Sequence, residues 1–418
     1  MRVSAPDRSR DARAGLAIAL AGSVALLGSL DSALNIAFPD LTDDFGLDVA
    51  DIQWVVIAYV ATYAVLLVGA GRVADLIGHR TVLVWGLMIS VTGFLATAMA
   101  PSYGWLLPAR VVQGVGVAAM LAAAPALITL TVSADRRGRA LGVFQMSAAL
   151  GLALGPLIGG VLVAAFGWRP VFWFRVPLSL LLVVVVARHL RPFQAETGGI
   201  RRFELAPFRQ FDFVLANVLN LMANAAMFGI WLLVPYYALD VLETGPVIGG
   251  LLLMVVPLVQ AGSSPMAGFL GDRFGPGWVT SVGLVIEGLG LAGLSRLDSS
   301  SSALSVGGVL AAVGFGLSLF GVPNMSYVMG CIDRVHQGVA AGVSQMMRTS
   351  GIVIGVFAAS AYFDGRRLSH AEQLLVDPDG PVSFVPAFQD TFVVATIVCA
   401  IAATASLLRA LATSPDHL

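Results

Sequence analysis

Four ionisable residues fall inside long apolar stretches of this chain: Asp31, Arg110, Glu287 and Arg348. A charge in the hydrocarbon core is costly enough that such residues pair with each other, line a watery path or carry protons. Asp31 in "LDSALNIAFP" (30–39) and Arg110 in "LPARVVQGVGVAA" (107–119) have opposite signs. As a pair, a nearby arginine favours the carboxylate, and its withdrawal favours the protonated form, so Asp31 can bind and release a proton. The plainer alternative is a static ion pair that holds two helices together. Glu287 and Arg348 are a candidate second charge pair.

Uncharged polar residues suggest where a substrate sits. Asn217, Asn220 and Asn224 follow an i, i+3, i+7 spacing that puts all three amides on one helix face. Tyr59 and Tyr63 are one turn apart, and Asn35, Gln113 and Asn324, the last beside Met325, lie in apolar segments. Aromatic and methionine surfaces can repack around varied ligands, so these residues are read as the wall of a substrate cavity. Hydrogen bonding between helices is the other reading for each of them.

Several chemistries find no support. His79, His189, His336, His370 and His417 are scattered, and Cys331 and Cys399 form no CxxC or zinc spacing, so no metal or redox role is expected. There is no G-x-x-x-x-G-K-[ST] stretch for ATP, and no cluster of His, Asp or Ser of the kind a membrane enzyme needs. The expectation is therefore a protein that is not an enzyme, without cofactor or nucleic-acid partner.

Helices in lipid must position these groups. Of 418 residues, 57% are hydrophobic and 12% charged, with mean hydropathy +0.86, against about 45–50% and about 25% in soluble domains. A bilayer core about 30 Å thick needs about 20 apolar residues per helix. Twelve such spans are predicted, at 15–39, 52–71, 80–99, 104–130, 138–165, 170–187, 212–238, 247–269, 277–296, 303–330, 337–362 and 388–410. At about 1.5 Å per residue, Asp31 lies about 24 Å into the first span and Arg110 about 9 Å from the opposite face, so their depths nearly coincide. Glu287 and Arg348 each lie about 15 Å deep by the same arithmetic.

Every basic residue is arginine, and 17 of the 24 fall on the side that carries the N-terminus. Both termini are therefore expected in the cytoplasm of a cell membrane, with the acidic loops on the outer side. The polar stretch 188–210 separates six spans from six. The organisation read from this is a cytoplasmic N-terminus (1–14), a six-helix half (15–189), a cytoplasmic linker (190–211), a second six-helix half (212–411) and a cytoplasmic C-terminus (412–418). "GRVADLIG" (71–78) and "GFLGDRFG" (268–275) share G-x-x-x-D-x-x-G at an offset of 197, which marks a duplication and puts Asp75 and Asp272 at matching turns. Two duplicated halves with a site near mid-membrane is a transporter architecture. Outside, a short helix is predicted around 367–375 in the long 363–390 stretch.

Glycine is placed for packing. Gly151, Gly155 and Gly159 recur every fourth residue in "GLALGPLIGG" (151–160) and make a smooth stripe, while Pro156 removes a backbone hydrogen bond and favours a bend. Gly71 and Gly78 suit a tight connection, and the Asp75 carboxylate suits backbone N–H groups at a helix N-terminus.

Four motifs, in order, resemble the drug:proton antiporters of the major facilitator superfamily. "LDSALNIAFP" is similar to the first-helix L-D-x-T-x-x-N-x-A-L-P of the branch that usually has fourteen helices, with Ala33 for Thr and Phe38 for Leu. "GRVADLIGHR" (71–80) resembles the loop signature, through Gly71, Asp75, Gly78 and Arg80, with Leu76 and His79 in place of basic residues; Asp272 and Arg273 repeat it. "LPARVVQGVGVAA" resembles the fourth-helix R-x-x-Q-G element. Gly142, Gly151, Gly155, Pro156, Gly159 and Gly160 fit the antiporter pattern G-x8-G-x3-G-P-x2-G-G. Arg175 stands where that branch usually has Asn, Arg348 matches an eleventh-helix arginine, and the linker is too short and charged for two extra helices.

The resemblance implies an all-α polytopic membrane protein with the twelve-helix major facilitator fold. It implies a monomeric bacterial antiporter in the plasma membrane, exporting amphipathic small molecules against a proton gradient, as in multidrug or antibiotic efflux. It further implies that the fifth-helix glycines face helix 8 and that Asp75 latches onto helix 11. A metabolite importer or facilitator of the same fold is the alternative, as is a non-transporting sensor on a transporter scaffold.

Overall fold

The computed structural model describes residues 8–47, 49–190, 210–375 and 381–412, so most of the predicted linker and the outer parts of both predicted termini lie outside the described residues. Twelve of the described helices are long and apolar enough to cross a membrane. They are α1 (Ala14–Ala37), α2 (Trp54–Ile77), α3 (His79–Ala98), α4 (Tyr103–Thr131), α5 (Ala134–Phe166), α6 (Pro170–His189), α7 (Phe211–Leu239), α8 (Ile248–Phe274), α9 (Pro276–Leu294), α10 (Ala303–Gly330), α11 (Arg334–Gln373) and α12 (Val382–Ala412).

Two departures from the predicted spans matter. The α-helix of α1 gives way at Leu30 to a tighter 3-10 helix that runs to Ala37. The short helix expected at 367–375 does not stand alone: one continuous helix runs Gln337–Leu374. Gly365 is the one Gly or Pro between 362 and 375 and does not interrupt the helix, so the backbone bonds simply carry on past the apolar part.

The chain divides into two compact units, one comprising Met1–Gln210 and Val328–Met346, the other Phe211–Tyr327 and Met347–Leu418. The first boundary falls inside the predicted linker. The inclusion of 328–346 in the first unit was not foreseen.

Small residues set the packing inside each unit. In the first, Gly86 of α3 lies against the Gly116 carbonyl of α4, and Gly93 lies against the Gln113 backbone. In the second, Gly283 of α9 lies against Leu319 and Phe320 of α10, and Gly314 of α10 against the Val256 backbone of α8. Such contacts let backbones approach where side chains would hold them apart, which is how helices associate when lipid solvates leucine as well as protein does. Larger side chains fill what remains. Phe388 of α12 stacks on Tyr237 at 4.7 Å and meets Phe392 edge-on at 4.7 Å, and the Tyr237 hydroxyl donates to the Asp298 carbonyl (2.6 Å). In that α9–α10 turn the Ser300 and Ser301 hydroxyls and amides hold the Asp298 carboxyl below the usual carboxylate range.

The turns α2–α3 and α8–α9 share one device. Gly78 (φ +96°) and Gly275 (φ +84°) adopt positive φ, where a side chain would strain the backbone. They are 197 residues apart, the offset of the sequence repeat.

Candidate proton and substrate site

The 3-10 segment of α1 begins one residue before Asp31, and α5 explains how it is held. A side chain at Gly155 would meet Ser32 and the Ala33 amide; one at Gly159 would meet the Ala33 carbonyl; one at Gly151 the Leu26 carbonyl. The three glycines thus admit the α1 backbone directly, and the Ser32 hydroxyl crosses to the Leu152 carbonyl (3.1 Å). Within the first unit, the partner of the stripe is α1. Gly142 is buried, Gly160 has no neighbour within 4 Å of a Cβ position, and Pro156 lies within the continuous helix.

Asp31 is the centre of a charged cluster. Arg110 of α4 grips it with both terminal nitrogens, Nη1 to Oδ1 at 3.0 Å and Nη2 to Oδ2 at 2.9 Å. The Arg110 Nε donates to the Val55 carbonyl of α2 (3.0 Å), fixing the plane of the fork. Gln113, one turn along α4, accepts from Arg110 Nη1 (2.7 Å) and donates to Asp31 Oδ1 (2.8 Å). A second guanidinium completes the set: Arg175 of α6 donates from Nη1 to Asp31 Oδ1 at 2.7 Å. Both arginine side chains are 0% exposed, while that of Asp31 is 14% exposed.

Aromatic rings wall the cluster. The Tyr59 ring lies 4.4 Å from the Arg110 guanidinium carbon, and Phe94 and Phe172 lie 4.4 and 5.3 Å from that of Arg175. Tyr63 meets Tyr59 edge-on at 5.1 Å. With one carboxylate and two guanidiniums, the ionised cluster carries one surplus positive charge.

Sequence reasoning paired Asp31 with Arg110 by depth but left Arg175 among the arginines of the outer side. The signal was present. Arg175 is five residues into a predicted span that starts at 170, about 8 Å deep, beside Arg110 at about 9 Å.

The expected second charge pair is not formed. Glu287 is 0% exposed, and neither carboxylate oxygen has a hydrogen-bond partner among the described residues. It is not paired with Arg348, which has interactions of its own. Gly316 of α10 approaches the Glu287 backbone so closely that the residue sits on the α9–α10 contact. On α7, Asn217, Asn220 and Asn224 are 2, 8 and 6% exposed. Asn217 bonds to the Phe213 carbonyl and Asn224 to Asn220, while Asn324 donates to the Ala216 carbonyl (3.0 Å). Asn35 is exposed on α1.

At the α2–α3 turn, Asp75 accepts from the Gly338 amide (2.7 Å) and the Val339 amide (3.0 Å), in the first turn of the helix that opens at Gln337. Its side chain is 1% exposed, with His79 Nε2 at 3.3 Å. Gly71 serves a close approach to the Gly338 carbonyl more than the turn, and Arg80 reaches the Ala187 carbonyl of α6 (2.6 Å). Gly338 and Gly342, which lies on the Leu67 carbonyl, went unremarked in the sequence because each makes sense only with its partner. The matching turn of the second unit differs: Gly271 packs on Pro323, Asp272 is partly buried, and Arg273 lies 5.7 Å from the Phe274 ring.

Twelve membrane-length helices in two duplicated units, with a charge cluster buried in one of them, define a polytopic transporter fold. The Major Facilitator Superfamily model matches residues 20–356, and the chain belongs to that family. Relatives include the puromycin resistance protein pur8 of Streptomyces alboniger, 28% identical over 405 residues (82% of this chain, 80% of that protein). The multidrug resistance protein Stp of Mycobacterium tuberculosis is 26% identical over 409 residues (82% and 75%). A riboflavin transporter, RibZ, of Clostridioides difficile is 22% identical over 389 residues (81% and 85%). Among solved structures, the crystal structure of the superfamily transporter FucP has the same fold, with TM-score 0.69, 15% identity and coverage of 92% of this chain and 98% of that one.

Proposed function

We propose that this protein is a proton-coupled antiporter that exports amphipathic small molecules by alternating access, with Asp31 as the proton carrier. The observation that carries this reading is the Asp31 cluster. A carboxylate that is partly accessible, and otherwise held by four hydrogen bonds from Arg110, Gln113 and Arg175, sits where α1 tightens into its 3-10 segment. A proton on Asp31 removes the charge that binds both guanidiniums, freeing α1 from α4 and α6. Mid-helix 3-10 stretches suit such a hinge. Drug-resistance relatives support the direction of transport; the riboflavin transporter among them keeps a metabolite carrier as the second reading.

In this proposal the cell membrane of a bacterium holds a monomer with both termini in the cytoplasm. The proton gradient supplies the energy without a cofactor, and Asp75 latches the cytoplasmic side. The test uses purified protein in liposomes with an imposed pH gradient and a neutral amphipathic dye. Wild-type protein should accumulate dye against its gradient, whereas Asp31→Asn should lose accumulation yet still exchange dye downhill. Gradient-independent movement, unchanged in Asp31→Asn, would mean a facilitator and end the coupling assignment.

A further inference from the structure

Arg175 leaves one edge of its guanidinium without a partner. Its Nη1 is spent on Asp31, while Nε and Nη2, both buried, meet no hydrogen-bond acceptor among the described residues. Those two N–H groups point the same way and form the planar fork that matches oxygen acceptors. The Phe94 and Phe172 rings lie against the same guanidinium, so the fork has apolar walls.

Oδ1 of the Asp31 carboxylate, in contrast, is already saturated. Oδ1 accepts from Arg110, Gln113 and Arg175, and Oδ2 from Arg110. A cationic ligand approaching it meets two guanidiniums and a net charge of the same sign as its own. Like charges brought together in a site of low dielectric are strongly disfavoured.

We infer that Arg175 determines specificity: it excludes cationic amphiphiles and offers its Nε/Nη2 edge to an oxygen acceptor, so the substrate is an uncharged or acidic amphiphile whose polar end carries a carbonyl or carboxylate oxygen. This rests on the Asp31 cluster being the substrate-linked site of the proposed function, but not on the proton coupling. Two guanidiniums on one carboxylate convert a neutral pair into a cationic site, and the orphan edge supplies the contact that a neutral oxygen can use.

The experiment is equilibrium binding to the detergent-solubilised full chain, followed by dansyl fluorescence, with three probes on one undecyl scaffold: dansylaminoundecanoic acid, its primary amide and the corresponding terminal amine. Wild-type protein should bind the amide and the acid at least about tenfold more tightly than the amine, since a like charge costs more than the tenfold equivalent in a desolvated site. Arg175→Asn should narrow or reverse that preference by gaining the amine and losing the amide. Arg175→Lys, which keeps the charge but lacks the planar fork, should still reject the amine while weakening the amide.

Wild-type protein that binds the amine as well as the amide overturns the inference without any variant. So does an Arg175→Asn protein, folded by its thermal midpoint, whose ratio of amide to amine affinity is that of wild type. If Arg175→Asn does not fold, Arg175→Gln is read in its place. Binding order is measured without a gradient, so a failed specificity result and a failed coupling result in liposomes are separate outcomes.

Discussion

At the residue scale, the carboxylates of Asp31 and Glu287, both inside membrane-length helices, have opposite circumstances. Asp31 is surrounded by donors, whereas Glu287 lies in an apolar contact with both oxygens unpartnered among the described residues. A buried polar group without a partner costs about 1–3 kcal/mol by mutational measures. Glu287→Met keeps the volume and removes the group, so it should raise the thermal midpoint of the purified protein by several degrees with transport unchanged. A lower midpoint, or loss of proton-driven transport, would reject a purely passive Glu287. Much of the Asp31 site was legible because depth along a helix is arithmetic: 1.5 Å per residue places Asp31 and Arg110 at one level. Arg175 escaped because arginines near span ends are read for orientation first. The absence of a Glu287–Arg348 pair was not legible, since depth alone does not say which face of a helix meets which neighbour.

At the element scale, the α5 stripe shows what spacing reveals and what it withholds. Four-residue glycine spacing correctly signals a smooth face. It does not identify the neighbour, and the neighbour proves to be α1, at the very segment that carries Asp31. The same arrangement recurs in the second unit, where Gly351 and Gly355 of α11 lie against Leu221 and Ala225 of α7. Adding one methyl at Gly159 would press on the Ala33 carbonyl and displace the segment that carries Asp31, while Gly160, one residue on, has open space. Gly159→Ala should therefore cost about 1–3 kcal/mol, the usual penalty of overpacking, and reduce coupled transport. Gly160→Ala should be neutral or slightly stabilising, because alanine is the better helix former by about 0.5–1 kcal/mol. Thermal midpoints and liposome transport of the two variants decide the matter; equal effects would mean that the stripe does not hold α1.

At the scale of the whole molecule, duplication was readable from G-x-x-x-D-x-x-G at an offset of 197, and it extends to glycine contacts and positive-φ turns. Function has broken the symmetry. The position that matches Arg110, 200 residues on through the Gly116–Gly316 correspondence, is Leu310, so the charge cluster exists in one unit. The turns have diverged too: Asp75 caps the amides of Gly338 and Val339, within the Val328–Met346 stretch that belongs with the first unit, while the Asp272 turn packs on Pro323. A carboxylate on two amides at a helix start is favoured by both charge-assisted hydrogen bonding and the helix dipole. Asp75→Ala leaves both N–H groups without their acceptor, so amide exchange at Gly338 and Val339 should accelerate by tenfold or more, in line with the loss of about 1–3 kcal/mol per buried group. Asp272→Ala should leave those two amides unchanged. If Asp75 is the latch proposed above, Asp75→Ala should also slow turnover without weakening dye binding. Unchanged protection at Gly338 and Val339 would show that Gly71, Gly338 and Gly342 hold this segment by backbone contact alone, and the gating role would pass from the carboxylate to the glycines.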